Sequence, residues 1–204
     1  MRGVRTGYRL AYRLGFTPWE SYGRIASSSV GALLDRETAD RPSDGAPGRA
    51  LDLGCGRGQK AEELVRRGWE VVGVDVVPAA VDAARELGLP DATFVVGDVT
   101  DLGSLDLGWF DLVLDIGCFQ HLDARQRVAT GDGVSALARP GATLLMLEFQ
   151  ATRLRSLVGG VTRTEVEAAF PGWRMLSVEP APTAGLGWPM STTAPQWYRL
   201  RRDR

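Results

Sequence analysis

The chain has 204 residues, 44% of them hydrophobic and 24% charged, with a formal net charge of −1. That is enough chain for one domain with a full core, whereas two domains would be cramped. Near-neutrality gives no electrostatic basis for nucleic acid or an anionic membrane, and no apolar run approaches the roughly 20 residues that span a bilayer.

Met1 to Gly15 mixes arginines among apolar residues and lacks the apolar core of a signal peptide, so a soluble, cytoplasmic protein is expected. Within it Tyr8, Arg9, Tyr12 and Arg13 form a basic aromatic cluster. The spacing of Ile25, Val30, Leu33 and Leu34 predicts a helix from Trp19 to about Asp40, a lid or flank. A polar connector, Arg41 to Gly48, leads to a strand at Ala50–Leu53 and a helix at Gln59–Arg67 stopped by Gly68. A strand at Glu70–Asp75 precedes a helix that Pro78 opens and that runs to about Leu87. Further strands are expected at Thr93–Val96, Phe110–Asp115 and Thr143–Phe149. A helix from about Asp123 to Ala138, ended by Pro140-Gly141, lies between the last two. A short helix at Thr164–Phe170, capped by Thr162 or Thr164, and strands at Arg174–Val178 and Gln196–Leu200 close the chain.

Strands alternating with helices at this pace require crossover connections. The expected fold is α/β, a doubly wound, mostly parallel sheet covered on both faces. One domain is expected, with residues 1–48 as an N-terminal lid or flank and 49–204 as the core.

In such sheets ligands sit beyond the carboxyl ends of the strands. The loops to inspect are therefore Gly54–Gly58, the end of strand two at Asp75, Gly97-Asp98-Val99, and Asp115–Leu122. Glycines at 54, 56 and 58 let the backbone approach a ligand, and Asp75 is placed to accept from a ribose. The spacing is not the G-x-G-x-x-G of a dinucleotide site, and Lys60 lies outside any Walker pattern. Asp52, two residues ahead of Gly54, would repel a pyrophosphate and suits a cationic amino acid moiety. S-adenosylmethionine carries one. The two cysteines and the single histidine, His121, lack zinc spacing, so no metal is expected.

Asp52-Leu53-Gly54-Cys55-Gly56-Arg57-Gly58, Asp75, Gly97-Asp98-Val99 and Phe110–Asp115 together resemble the successive motifs of class I S-adenosylmethionine-dependent methyltransferases. The resemblance covers roughly Arg49 to Phe149. It implies a Rossmann-like sheet of seven strands with the last antiparallel. It places the Gly54, Cys55, Gly56 and Gly58 loop on the methionine part, Asp75 and Val76 at the ribose, and Asp98 with Val99 around the adenine. Trp19, Asp52, Asp115, Ile116 and Gly117 complete that cofactor set. Phe16 to Glu20 and Asp115 to Leu122 resemble the thiol, thiopurine and halide methyltransferase-like group. Glu20, Ile116 and Gln120 depart from that group's usual residues.

Methyl transfer from a sulfonium asks mainly for near-attack geometry. His121 is the candidate catalytic residue, able to take an acceptor proton or to steer a thiol, with a purely structural role as the other reading. Cys118, Phe119, His121, Trp188 and Met190 are the expected acceptor contacts. Asp98 has a second reading as the cap of the following turn. Cys55 reads as compact filler, and Cys118 lacks the second histidine a nucleophile would want. A small-molecule acceptor, through a thiol, hydroxyl or carboxyl, fits the uncharged late loop best. The other readings are a protein that uses the donor without transferring its methyl, and a non-enzymatic binding module. Nothing in the sequence marks an oligomer interface.

Overall fold

Apolar residues recur so densely in the strand segments that both faces of the sheet must be covered. In the computed structural model, which describes residues 27–41, 47–151, 159–183 and 194–203, they are. Seven strands run β1 (Gly48–Leu53), β2 (Trp69–Asp75), β3 (Ala92–Val96), β4 (Phe110–Ile116), β5 (Ala138–Phe149), β6 (Trp173–Pro180) and β7 (Pro195–Arg202). The helices are α1 (Ser27–Ala39), α2 (Gln59–Val65), α3 (Pro78–Arg85), α4 (Ala124–Leu137) and α5 (Arg163–Ala169).

The strand order is β3-β2-β1-β4-β5-β7-β6. The first five strands are mutually parallel, and β7 is antiparallel to both its neighbours, β5 and β6. The expected doubly wound sheet with an antiparallel last strand is therefore the observed one.

Successive side chains leave a strand on opposite faces, and two cores follow from that period. Ala50, Val71, Leu112 and Leu145 pack with Val30 and Leu34 of α1, Ala61 and Leu64 of α2, and Val81 and Ala84 of α3. Leu51, Val72, Val113 and Leu144 pack on the other face with Val134 of α4 and with Val166 and Phe170 at α5. Gly131 lets α4 and α5 meet, because a Cβ there would stand 1.7 Å from the Ala169 carbonyl oxygen.

The described part of the predicted Trp19–Asp40 helix is a flank bound to the sheet. Trp69 donates to Thr38 Oγ1 at 2.9 Å and Trp197 to Ser29 Oγ at 3.2 Å, while Arg199 pairs with Glu37 and Asp40. Residues 19–26, including Trp19, lie outside the described residues.

One boundary is corrected. The helix before β5 ends at Leu137, and β5 begins at Ala138, ahead of Pro140-Gly141 and not after it. Ala138 pairs with Phe110 before the chain bulges, and regular pairing resumes at Leu112 with Thr143. Proline and glycine here interrupt a ladder instead of separating elements. The short helix is capped by Thr162, whose hydroxyl accepts from Glu165 N–H while Glu165 reaches back.

Candidate active site

β1 lies between β2 and β4, where the chain switches from one side of the sheet to the other, and this is where an α/β sheet opens a ligand crevice. The register brings the carboxyl ends level: Leu53 pairs with Val74 on one side and Asp115 on the other. Gly54 and Cys55 donate to the Val74 carbonyl at 2.8 and 3.1 Å, which turns the chain out of the sheet. Gly54, Gly56 and Gly58 have φ of 67°, 54° and 76°, left-handed backbone that favours glycine. Alternate glycines in the sequence are thus a loop that folds back on itself before α2.

Asp75 holds this loop. Its Oδ2 accepts from Gly56 N–H at 2.9 Å and its Oδ1 from Val77 N–H at 2.8 Å. Burial raises its pKa, and the backbone donors oppose that. Asp52 is 3% exposed, and its Oδ2 has no hydrogen-bond partner among the described residues. Burial, then Asp115, pushes its pKa up to about 7, with Lys60 acting the other way. An unsatisfied carboxylate in a dry site is costly and is relieved by a cation.

At the end of β4, Asp115 is 1% exposed and accepts from Cys118 N–H at 2.8 Å and Phe119 N–H at 3.3 Å. It faces Glu148 of β5, which is fully buried and whose Oε2 accepts from Gln120 N–H at 2.9 Å. Burial and the Asp115 charge hold Glu148 well above the ordinary carboxyl range. Of the two, Glu148 is the better placed to keep a proton, because Asp115 has the two backbone donors. Burial and neighbouring acids raise both thiols, so neither Cys55 nor Cys118 is a thiolate nucleophile. His121 ends a 3-10 turn, Phe119–His121, and burial followed by Arg127 lowers its pKa to about 4.

The geometry is that of a glycine turn, a carboxylate at the end of strand two and an unsatisfied acid beneath them. Residues 50–141 match the model of a methyltransferase domain family. This segment, less than half of the chain, is similar to that family. It is 30% identical over 142 residues to the 2-heptyl-1-hydroxyquinolin-4(1H)-one methyltransferase of Mycobacteroides abscessus, a match that covers 66% of this chain and 62% of that protein. It is 31% identical over 112 residues to the ubiquinone biosynthesis O-methyltransferase of Xanthomonas oryzae pv. oryzae, over 53% of this chain and 46% of that one. The chain thus spans less than two thirds of these curated relatives.

Solved structures share the fold. The Burkholderia thailandensis 1,6-didemethyltoxoflavin-N1-methyltransferase, with bound S-adenosylhomocysteine, superposes with a TM-score of 0.74 at 21% identity, over 98% of this chain and 88% of that one. The Synechocystis magnesium protoporphyrin IX methyltransferase with bound S-adenosylhomocysteine gives a TM-score of 0.72 at 16% identity, over 98% and 99%.

Within the matched segment, Asp52, Gly54, Cys55, Gly56, Gly58 and Asp75 meet at one end of the sheet, with Asp115 across from Leu53. Val76, Ile116, Gly117 and Cys118 stand half-buried along the same edge. Asp98 caps the next turn, its Oδ1 accepting from Thr100 N–H at 3.0 Å and from the Thr100 hydroxyl at 2.8 Å, so the capping reading holds in the structure. Val99 is 8% exposed and belongs to the core on the α4 side.

Phe119, expected among the acceptor contacts, is fully buried, its ring 5.6 Å from Phe170 and 5.3 Å from the Arg127 guanidinium. The 3-10 turn drives the ring into the core and leaves His121 half-buried. Trp188 and Met190 lie outside the described residues, as does Trp19. The sequence reading missed Glu148, Gln120 and Arg127. The available signal was a lone acid inside the apolar run Leu144–Phe149.

No helix among the described residues is long and apolar enough to cross a membrane.

Proposed function

We propose that this protein transfers the methyl group of S-adenosylmethionine to a heteroatom of a small molecule by in-line displacement. The observation that carries it is the buried, unpartnered oxygen of Asp52 beneath the loop that Asp75 holds against Gly56. That donor set fits a ligand with cationic groups and a ribose, and it does not fit a pyrophosphate. When bound, the cofactor supplies an electrophilic methyl on a sulfonium. Asp75 keeps the loop in place and offers its remaining lone pairs to the ribose hydroxyls, while Asp52 and Asp115 supply the counter-charge. Lys60 pairs with Glu63 at 2.9 Å and leaves the acids in excess. Val76, Ile116 and Gly117 form the rim of this side, and Asp98 with Val99 shapes the adenine end. The chain has little further chemistry to do beyond orientation and exclusion of water.

For the acceptor we place first the hydroxyl or ring nitrogen of a small aromatic or heteroaromatic molecule. The names of the relatives, a hydroxyquinolone, a ubiquinone-pathway and a toxoflavin-type enzyme, support that reading. A thiol acceptor, in line with the likeness of Asp115 to Leu122 to the thiol, thiopurine and halide group, comes second. Residues 1–48, with Trp19, are assigned as lid or flank to the 49–204 core. Cys118, Trp188 and Met190 are assigned to the acceptor side, where the 180–195 segment would set selectivity.

Incubation with the donor and a panel of hydroxyquinolones, phenols and thiols is expected to release S-adenosylhomocysteine in proportion to methylated product. A solved [4+2]-cyclase shares the fold with a TM-score of 0.63. Donor binding by calorimetry with no release across the panel would favour a use of the donor without methyl transfer. Absence of binding at high micromolar donor would end both readings.

A further inference from the structure

Gln120 is 6% exposed, and each of its polar groups has a partner. Its N–H donates to Glu148 Oε2, and its carbonyl accepts from Arg127 Nη2 at 3.2 Å and Gly160 N–H at 3.3 Å. Its side-chain Oε1 accepts from Phe149 N–H at 2.6 Å. A backbone N–H can only donate, so the orientation of the amide is settled: oxygen on Phe149, nitrogen on the opposite side. That nitrogen lies 3.3 Å from Nε2 of His121. An amide NH2 donates and has no lone pair to offer, so the ring nitrogen is the acceptor. A neutral imidazole whose lone pair is on Nε2 carries its hydrogen on Nδ1.

The ring is held on its other side as well. Gly159 has φ of 77°, and a Cβ there would stand 2.9 Å from Nδ1 and 3.1 Å from Cε1. Arg127, which fixes the carbonyls of Gln120 and Gly160, is the charged group that acts on the ring. It opposes a second proton.

We propose that Gln120 is a positioning residue that commits the Nε2 lone pair of His121, so that His121 is no general base and the acceptor does not lose a proton to it. The statement about the acceptor rests on the methyl-transfer reading, whereas the tautomer stands on the contacts of Gln120 alone. Acceptors that need no base at His121 fit this reading: acidic hydroxyls, such as an N-hydroxyl or an electron-poor phenol, ring nitrogens with a lone pair, and thiols near their thiolate form.

His121 is the single histidine of the chain, so one imidazole dominates a long-range 1H–15N spectrum of the labelled protein. The wild type should show Nδ1 protonated and Nε2 unprotonated, unchanged down to pH 5. Gln120→Glu turns the donor into an acceptor and should move the proton to Nε2, or yield imidazolium, with the titration midpoint raised more than one pH unit. A wild-type ring protonated on Nε2, or titrating near pH 6.5, overturns the assignment even if the variant does not fold. Turnover gives the second arm. Across phenols or thiols of graded acidity, the inflection of the pH–rate profile should follow the acceptor's own pKa, and His121→Ala should cost about tenfold or less. A fixed inflection that disappears in His121→Ala, with a loss in the 10²–10⁴ range of a true base, overturns it. Failure of the donor to bind would end the methyl-transfer reading and leave the tautomer result intact.

Discussion

Asp75→Ala should weaken S-adenosylmethionine binding by about 100-fold or more. The carboxylate accepts from Gly56 and Val77 at once, so its loss strands two backbone N–H groups and frees the glycine turn. Hydrogen bonds to a charged acceptor are worth about 1.5–3 kcal/mol each, and the ribose contacts would go with them. Asp75→Asn is the control: its oxygen can satisfy one N–H, but its NH2 must face the other. It should sit between alanine and wild type. Calorimetry with donor and with S-adenosylhomocysteine reads the effect, and an affinity within threefold of wild type for Asp75→Ala would refute the assignment.

The second large effect concerns stability. Glu148→Ala should cost about 3–5 kcal/mol, because it opens a cavity and leaves the Gln120 N–H and the Asp115 carboxylate without their partner. Glu148→Gln should behave in the opposite way. A glutamine keeps the shape of a protonated glutamate, accepts from Gln120 and can donate to Asp115. The sign of the pH dependence follows from the direction of the shift. A carboxyl whose folded pKa is raised contributes fully below its unfolded pKa, and that contribution is lost as pH rises through the folded value. For Asp52 that window runs from 3.8 to about 7, and Asp75, Asp115 and Glu148 shift in the same direction. His121 works against them, since its contribution is lost as pH falls from 6.5 through about 4. Without donor, the wild type should lose stability as pH rises from about 4 to about 7, and Glu148→Gln should lose less. Denaturant midpoints at three pH values test this; equal slopes for the two proteins would remove the buried proton from Glu148.

The sheet and its ligand-bearing edge were legible because their signals are local. The runs at Ala50–Leu53 and Glu70–Asp75, and the glycines between 54 and 58, fix strand ends and turn by conformational preference alone. Asp98 shows the limit of such signals. The same residue suits a ligand contact or a turn cap, and the sequence does not reveal that its Oδ1 is taken by Thr100. Phe119 reads as an acceptor contact through its neighbours Cys118 and His121, but a 3-10 turn sends adjacent side chains in different directions and buries the ring. Glu148 stayed hidden for another reason. Its meaning depends on Asp115, 33 positions earlier in the chain, and a strand buried on both faces has no polar alternation to mark one acid as special.

The position of β7 between β5 and β6 has a kinetic side. β6 touches the rest of the sheet only through β7, and the β5–β7 ladder joins residues such as Thr143 and Arg201, far apart in sequence. Closing that span carries an entropic cost that the β6–β7 ladder, between nearer partners, largely avoids. The two strands therefore form an antiparallel ribbon joined to the parallel strands through the β5–β7 ladder alone. Gln196 of that ribbon pairs with Glu148, so its transient detachment would open the sheet beside the buried proton while the glycine turn stayed folded.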